Sequence, residues 1–292
     1  MFWLIPALLR ISTENVISPV LIKIFSKLPS TSVRLTYQFF FCFTFSLLIF
    51  LFAPDNLLNK NVLIVMLFGF MNAFAAYAQW KAYNLNLSGS MIFNPLSGLI
   101  SLGLGYVFLK EFEYLNLPLI TGIIFIFLVS FLSVMRQITG YRSNINLDLF
   151  KWTVFYSLIW GLETFVTRIF AIGGMPIINF VTAFYLGSLS GGILLSKGFI
   201  INKVNNILAY RDIKNIFILS IFIWLSLVLN YFSLKLAPIT VIVPIFQLSG
   251  LILPFLIGAL FFKEVKKINR FDFVVLLFGI VGGLLIILSY QV

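Results

Sequence analysis

Residues 151–172 read KWTVFYSLIWGLETFVTRIFAI, and this stretch decides the fold class of the chain. Most of its side chains are apolar or aromatic. It is long enough to cross a bilayer, because a span needs about 20 apolar residues for roughly 30 Å of hydrocarbon. Glu163 nevertheless lies near the middle of the run, and Arg168 follows it within the same run. The stretch predicts a membrane helix that carries charge inside the bilayer.

The composition extends this prediction to the whole chain. Of its 292 residues, 61% are hydrophobic and only 10% are charged. Soluble domains are about 45–50% apolar and about 25% charged. A transmembrane barrel would show alternating segments of about 10 residues, whereas the apolar runs here are roughly twice that long and do not alternate. We therefore expect an all-α integral membrane protein.

Several kinds of site are excluded by the residues that the sequence lacks. It contains no histidine and a single cysteine, Cys42. Histidine-dependent triads, cysteine zinc sites and disulfide frameworks are therefore excluded, and we expect no cofactor. The net charge of +11 comes from basic residues scattered over short loops. This pattern is typical of membrane proteins, so we expect no nucleic-acid partner.

Turn signals divide the apolar runs into ten predicted transmembrane helices. Their approximate bounds are 2–24, 30–52, 61–83, 88–109, 115–136, 151–173, 176–196, 214–236, 240–262 and 271–290. The N-terminal MFWLIPALLRISTEN lacks the basic region of a signal peptide, so we expect it to be retained as a helix.

An internal repeat relates the two halves of the chain. SGSMIFNPLSGLISLGLGYVFLKE (88–111) aligns without a gap on VIVPIFQLSGLILPFLIGALFFKE (241–264). Small residues recur every fourth position in the first segment, at Ser97, Ser101 and Gly105, and small residues on one face let helices approach closely in lipid. Their counterparts in the second segment are Gly250, Pro254 and Gly258.

Each half contains five predicted spans. Because five is odd, the second half must cross the membrane in the opposite sense to the first. The sequence therefore predicts ten transmembrane helices as two inverted five-helix repeats, residues 1–140 and 141–292. Many secondary transporters have this arrangement and bind substrate near the midplane, between the repeats.

The chain resembles the ten-helix, EamA-like branch of the drug/metabolite transporter superfamily. The segment APITVIVPIFQLSGLILPFLIGALFFKE (237–264) and Arg34, in LPSTSVRLTYQFF (28–40), carry the resemblance. The first half departs from the pattern, since Met91 stands where the second half has Pro244. The resemblance implies alternating-access movement of small metabolites through a central cavity.

The charges inside the spans are the strongest candidates for a binding site. An offset of 149 places Glu14 opposite Glu163 and Trp3 opposite Trp152. A charge at a helix centre costs about 2.5–3.5 kcal/mol or more, so two carboxylates at matching depth suggest a central polar site that binds an amine or carries a proton. Arg10 lies one helical turn before Glu14. The alternative is that Arg10 and Glu14 form an internal ion pair that only fixes packing.

Other polar and aromatic groups within the spans could complete that site. Buried amides need hydrogen-bond partners, and aromatic rings can surround a cation. The alternatives are interhelical hydrogen bonds and lipid-facing or interfacial rings. The predicted substrate-binding residues are Arg10, Glu14, Gln38, Tyr77, Trp80, Asn94, Trp160, Glu163, Tyr185, Asn230 and Gln247, and the same spans also carry Tyr37, Asn72, Tyr156 and Tyr231.

These features favour a secondary transporter of a small polar metabolite, an amino acid or related amine, over three alternatives. No GxxxxGK[ST] motif is present, so ATP is not the direct drive, and we expect proton coupling or exchange. A flippase for a lipid-linked substrate and a non-transporting membrane scaffold remain open. A membrane enzyme is disfavoured, because only nine acidic residues and no histidines are available.

The expected partners are the substrate, the lipid bilayer and protons, and a homodimer is left open. With no targeting segment recognised, the cytoplasmic (inner) membrane of a prokaryote is the expected location.

The basic residues also predict an orientation. Fifteen Lys and Arg residues lie near the side formed by the loops after spans one, three, five, seven and nine, against four on the side with both termini. The positive-inside rule puts the richer side in the cytoplasm, whereas the family resemblance implies cytoplasmic termini.

We expect the charge distribution to decide the orientation. A reporter fused after Val292 should then read as extracytoplasmic, as measured by paired reporters that are active on opposite sides of the membrane. A cytoplasmic reading would contradict ten full spans in this orientation.

Overall fold

Every secondary-structure element among the described residues is helical. The computed structural model describes residues 2–26, 31–52, 60–87, 90, 95–111, 116–125, 128, 131, 147–202, 210–262 and scattered positions between 277 and 289. The helices are α1 Leu4–Ile11, a π-helix Ser12–Ile17, α2 Ser18–Ser26, α3 Thr31–Phe52, α4 Lys60–Leu85, α5 Pro95–Leu109, α6 Leu147–Ile172, α7 Ile177–Asn202, α8 Tyr210–Leu236 and α9 Ile239–Leu260.

Seven helical stretches are long and apolar enough to cross a membrane. They are Leu4–Ser26, Thr31–Phe52, Lys60–Leu85, Asp148–Ile172, Ile177–Ser196, Arg211–Leu236 and Ile239–Gly258. Large apolar side chains such as Leu51 and Phe52 are exposed on the outside of the bundle, where lipid rather than water is their compatible solvent. The chain is therefore a multi-pass membrane protein, and seven of the predicted spans lie where the sequence placed them.

The other three predicted spans are described only in part. The helix α5 is shorter and apolar, and residues 88–89 and 91–94 of its predicted span lie outside the described residues. Residues 117–125 are helical in the predicted fifth span. The side-chain amide of Asn116 donates to the Ser289 carbonyl at 2.8 Å, and the Phe125 and Phe278 rings lie 5.6 Å apart, so the described parts of the predicted fifth and tenth spans contact each other.

The first span contains a π-helix between α1 and α2, which the sequence analysis did not predict. Pro19 accounts for it, because proline lacks an N–H and its ring clashes with the carbonyl four residues earlier. Hydroxyl groups bond to backbone carbonyls around the widened turn: the Thr13 Oγ1 donates to the Arg10 carbonyl at 3.0 Å, and the Ser18 Oγ to the Thr13 carbonyl at 2.8 Å. Glu14 lies within this segment, and π-helical turns are frequent at functional sites.

The turn between α6 and α7 confirms one of the predicted breaks. Gly174 has φ +77°, a left-handed conformation that glycine adopts without the steric cost of a side chain. The Met175 N–H donates to the Phe170 carbonyl at 3.1 Å, which closes the end of α6 in the manner of a helix C-cap. The chain then re-enters the bundle after Pro176 as α7.

The contacts between the central helices show the directions in which these helices run relative to one another. The helices α4 and α7 run parallel, since Gly69 lies against Phe184 and Gly191 against Phe70. The helices α3 and α7 are antiparallel: Thr36 lies near Gly192, while the Thr182 hydroxyl bonds to the Ser46 carbonyl at 3.4 Å.

Glycines permit the closest of these approaches. A Cβ on Gly69 would overlap the Phe184 carbonyl, and one on Gly187 would overlap the Met66 carbonyl. On α5, a Cβ on Gly105 has little room beside Ile239 of α9. The close approach predicted for the small-residue face of α5 is thus confirmed at Gly105, and small residues serve the same purpose between α4 and α7.

We expect Gly187→Ala to destabilise the protein by about 1–3 kcal/mol, the usual cost of overpacking, because the methyl group meets backbone rather than a movable side chain. Gly103→Ala is the matched control, since a Cβ there meets nothing within 4 Å. Thermal unfolding of the purified protein in detergent measures both. Equal melting temperatures for the two variants would contradict the packing described for α4 and α7.

Candidate functional site

A cavity of about 170 Å³ lies at the centre of the bundle, and the first span and helices α3 to α9 all contribute to its wall. Nine of the eleven residues predicted to bind substrate line this cavity. They are Arg10, Glu14, Gln38, Trp80, Trp160, Glu163, Tyr185, Asn230 and Gln247. Residues from both halves of the sequence therefore converge on one polar space.

The remaining two predicted residues do not contribute to the described cavity wall. The ring of Tyr77 packs edge-on against Trp152 with centroids 6.2 Å apart, and the Lys81 ammonium lies 5.4 Å from its centroid. Tyr77 therefore lies outside the cavity. Asn94 lies outside the described residues, and its predicted counterpart Gln247 donates instead to the Ser97 hydroxyl at 3.1 Å.

Glu163 presents its carboxylate to the cavity from the middle of α6. Its Oε1 atom is buried and has no hydrogen-bond partner among the described residues. Arg168 does not compensate for it, because the Arg168 guanidinium pairs with Glu111 instead. A carboxylate desolvated in this way is costly unless another group supplies donors or a proton.

The ion pair between Arg10 and Glu14, which the sequence analysis left open as the alternative, does not form. The Glu14 carboxylate instead accepts a hydrogen bond from the Ser226 hydroxyl of α8. The Arg10 guanidinium lies over the Phe246 ring, 3.7 Å from its centroid. The π-helix begins at Ser12, between these two residues.

Amide and indole groups join the two halves across the cavity. The Trp160 indole donates to the Asn72 side-chain oxygen at 3.1 Å, and the Asn72 amide donates to the Ser188 hydroxyl at 3.2 Å. The Asn15 amide donates to the Ser249 hydroxyl at 2.8 Å. These bonds satisfy part of the polar lining and fix its side chains, as the sequence analysis considered for interhelical amides.

The unsatisfied polar atoms on the cavity wall are mostly acceptors. Three oxygens, Gln38 Oε1, Glu163 Oε1 and Asn230 Oδ1, are buried with no donor among the described residues. The corresponding unpaired donor on the wall is Arg10 Nε. Since buried polar groups normally have partners, these oxygens are available to water or to a ligand that donates hydrogen bonds.

A buried ion pair lies about one helical turn beyond the cavity, where α5, α6, α8 and α9 meet. The Arg168 guanidinium bonds to Glu111 Oε1 at 3.0 Å and also donates to the Leu234 carbonyl. The second Glu111 oxygen accepts from the Thr240 backbone N–H and hydroxyl, each at 3.2 Å. Lys110, with φ 54°, turns the chain so that Glu111 reaches back into the bundle. This network holds one end of the bundle together.

The opposite end is held by two other cations. The Lys23 ammonium donates to the Tyr83 carbonyl and, at 3.2 Å, to the Asn84 carbonyl, near the end of α4. Arg34, which contributed to the family resemblance, pairs with Asp212 at 3.0 Å. The Lys23 ammonium lies at the C-terminal carbonyls of α4, where a cation is favourable, and Arg34 joins the start of α3 to α8 through Asp212. Neither cation is part of the cavity wall.

The sequence analysis missed several polar residues of the wall. Asn15, Gln79, Ser226, Thr164 and Thr167 also line the cavity. Helical spacing could have identified some of them, because Gln79 follows Asn72 by two turns and Ser226 precedes Asn230 by one, which places each pair on a common face.

Comparison with known proteins gives the fold but no function. No protein-family model matches this chain, and no curated protein matches it. A solved structure described only as "Crystal structure of protein" is similar over 98% of this chain and 97% of that chain, with a TM-score of 0.70 and 13% identity. At this identity the likeness establishes a shared fold alone.

Proposed function

We propose that the chain is a secondary transporter that moves a small polar metabolite, an amino acid or related amine, through the central cavity by alternating access. The observation that carries this proposal is the cavity wall, on which one buried oxygen each of Gln38, Glu163 and Asn230 has no donor within the described part of the chain. An ammonium group supplies three N–H donors and no acceptor, so it matches this deficit better than a carboxylate or a neutral carbonyl group would.

The packing of the helices supports two inverted repeats. The sequence offset equates the first span with α6, α3 with α7, α4 with α8 and α5 with α9. Each of the pairs α3–α7 and α5–α9 is in contact. The contacts of α4 with α6 and α7 are mirrored by those of α8 with the first span and α3. A two-fold axis through the cavity would produce this pattern.

Ten spans and the EamA-like family belong to the same proposal. The pairing of residues 88–111 with 241–264 and the contact between the described parts of the fifth and tenth spans support five spans in each half. Inverted repeats with a polar site at their interface are typical of secondary transporters. The cytoplasmic membrane of a prokaryote, which the sequence analysis expected, stays part of the proposal.

The proposed transporter needs an energy source other than ATP, because the sequence lacks a nucleotide-binding motif. Glu14 and Glu163 both line the cavity, so protons and the substrate ammonium can compete for the same carboxylates. Exchange of one for the other would couple substrate movement to a proton gradient or to counter-transport.

We expect Glu163→Gln to reduce transport roughly tenfold or more while leaving the fold intact, because hydrogen bonds to a charged group contribute about 1.5–3 kcal/mol. Uptake and counterflow of labelled amino acids and amines into proteoliposomes measure the effect. Asp148→Asn is the matched control, since Asp148 is exposed at the start of the same helix. Wild-type rates in Glu163→Gln, with a clear signal from the wild-type protein, would contradict the proposal.

A further inference from the structure

Arg10 is a second charged group on the cavity wall, and the Glu14 carboxylate attracts it without bonding to it. Its guanidinium makes no ion pair among the described residues, and its Nε atom is buried without a hydrogen-bond acceptor. The contact over Phe246 at 3.7 Å is a cation–π interaction, worth about 0.5–2 kcal/mol. The free-energy cost of a charge within a membrane is larger than this stabilisation. The contact with Phe246 alone therefore does not compensate for burying Arg10.

The carboxylates of the cavity do not fill that role. Glu14 attracts Arg10 but bonds to Ser226 instead, and Glu163 Oε1 has no hydrogen-bond partner among the described residues. The cavity wall therefore carries a cation and a carboxylate on different helices, and these two groups form no ion pair with each other in the part of the chain that the structure describes.

The stacking on Phe246 leaves Arg10 suitably placed to bind an anion. A ring contact occupies the flat face of a guanidinium, whereas its N–H donors point outward in the plane of the group. That edge matches carboxylate and phosphate oxygens, often with two parallel hydrogen bonds. Phe246 and Arg10 both line the cavity, so the ring holds the guanidinium at the wall.

Only the first half of the internal repeat carries a cation at this position. The offset that equates Glu14 with Glu163 equates Arg10 with Ile159, an apolar residue that packs in a cluster with Tyr156 and Leu149. The first half thus contributes a cation for which the second half has no equivalent, and the cavity is electrically asymmetric although its scaffold repeats.

We infer that the cavity binds a zwitterion: the Arg10 guanidinium, supported by Phe246, receives an anionic group, either carboxylate or phosphate, and Glu163 with Gln38 and Asn230 receives the ammonium group. This inference rests on the proposed function and narrows its substrates, because a simple amine would leave Arg10 unpaired. Arg10 is then a specificity-determining residue that separates zwitterions from amines of the same shape.

Equilibrium binding of matched compounds to the purified full-length protein tests the inference. Alanine, leucine and phenylalanine are each compared with the amine that lacks the carboxylate and the acid that lacks the amine. Aminoethyl phosphate is compared with ethylamine. For the side chain that fits, wild-type protein should bind the zwitterion roughly tenfold or more tightly than the amine, the effect of one charged hydrogen-bonding partner. The tighter of the carboxylate and phosphate compounds identifies the anionic group.

Variants assign the preference to its residues. Arg10→Gln should abolish the difference between zwitterion and amine, whereas Arg211→Gln, at an exposed arginine at the start of α8, should retain the difference. Phe246→Leu should reduce the preference. If Arg10→Gln does not fold, Arg10→Lys retains the charge without the planar donor pair and should show a smaller preference.

Two results would overturn the inference in distinguishable ways. Equal binding of amines and zwitterions by the wild-type protein, unaffected by Arg10→Gln but lost in Glu163→Gln, would remove the anion subsite and leave the proposed function standing. Absence of binding by every compound with an ammonium group, from protein that unfolds cooperatively, would contradict the proposed function itself.

Discussion

The bilayer imposes the constraint on which the rest of this structure depends. In hydrocarbon, each backbone N–H and C=O must be satisfied within the protein, so the spans are helical and their irregular turns need special partners. Around the π-helix of the first span, hydroxyls of Thr13 and Ser18 bond to backbone carbonyls. Glycines such as Gly69 and Gly187 bring neighbouring backbones together, since dispersion contacts replace the hydrophobic effect between helices in lipid.

The same constraint separates two kinds of buried charge. Arg168 and Glu111 are paired and further bonded to backbone groups at the ends of α8 and α9, which is what a structural ion pair requires in a low dielectric. Arg10 and Glu163 line the cavity without such compensation. We interpret the first pair as part of the scaffold and the second two as the means by which the protein recognises a charged ligand.

Much of the scaffold was predictable because each apolar run had to form a helix of membrane length. The charges that face the cavity were also visible, since Glu14 and Glu163 occur where lipid would exclude them. The sequence did not predict which residues the buried charged side chains bond to. Arg168 pairs with Glu111, which is distant in sequence, and Glu14 bonds to Ser226 of α8 rather than to Arg10. Both outcomes depend on how α1, α5 and α6 are placed in space, and local spacing does not contain that information.

Access to the cavity from both sides of the membrane is the central claim, and thiol labelling tests it most directly. Thr164 lines the cavity, and Cys42 is the only native thiol, so Thr164→Cys in a Cys42→Ala background carries a single reporter. A membrane-impermeant maleimide applied separately to right-side-out and inverted vesicles should label this cysteine from each side if the cavity alternates. Labelling from one side only, in protein that retains its fold, would contradict alternating access and favour a static membrane component.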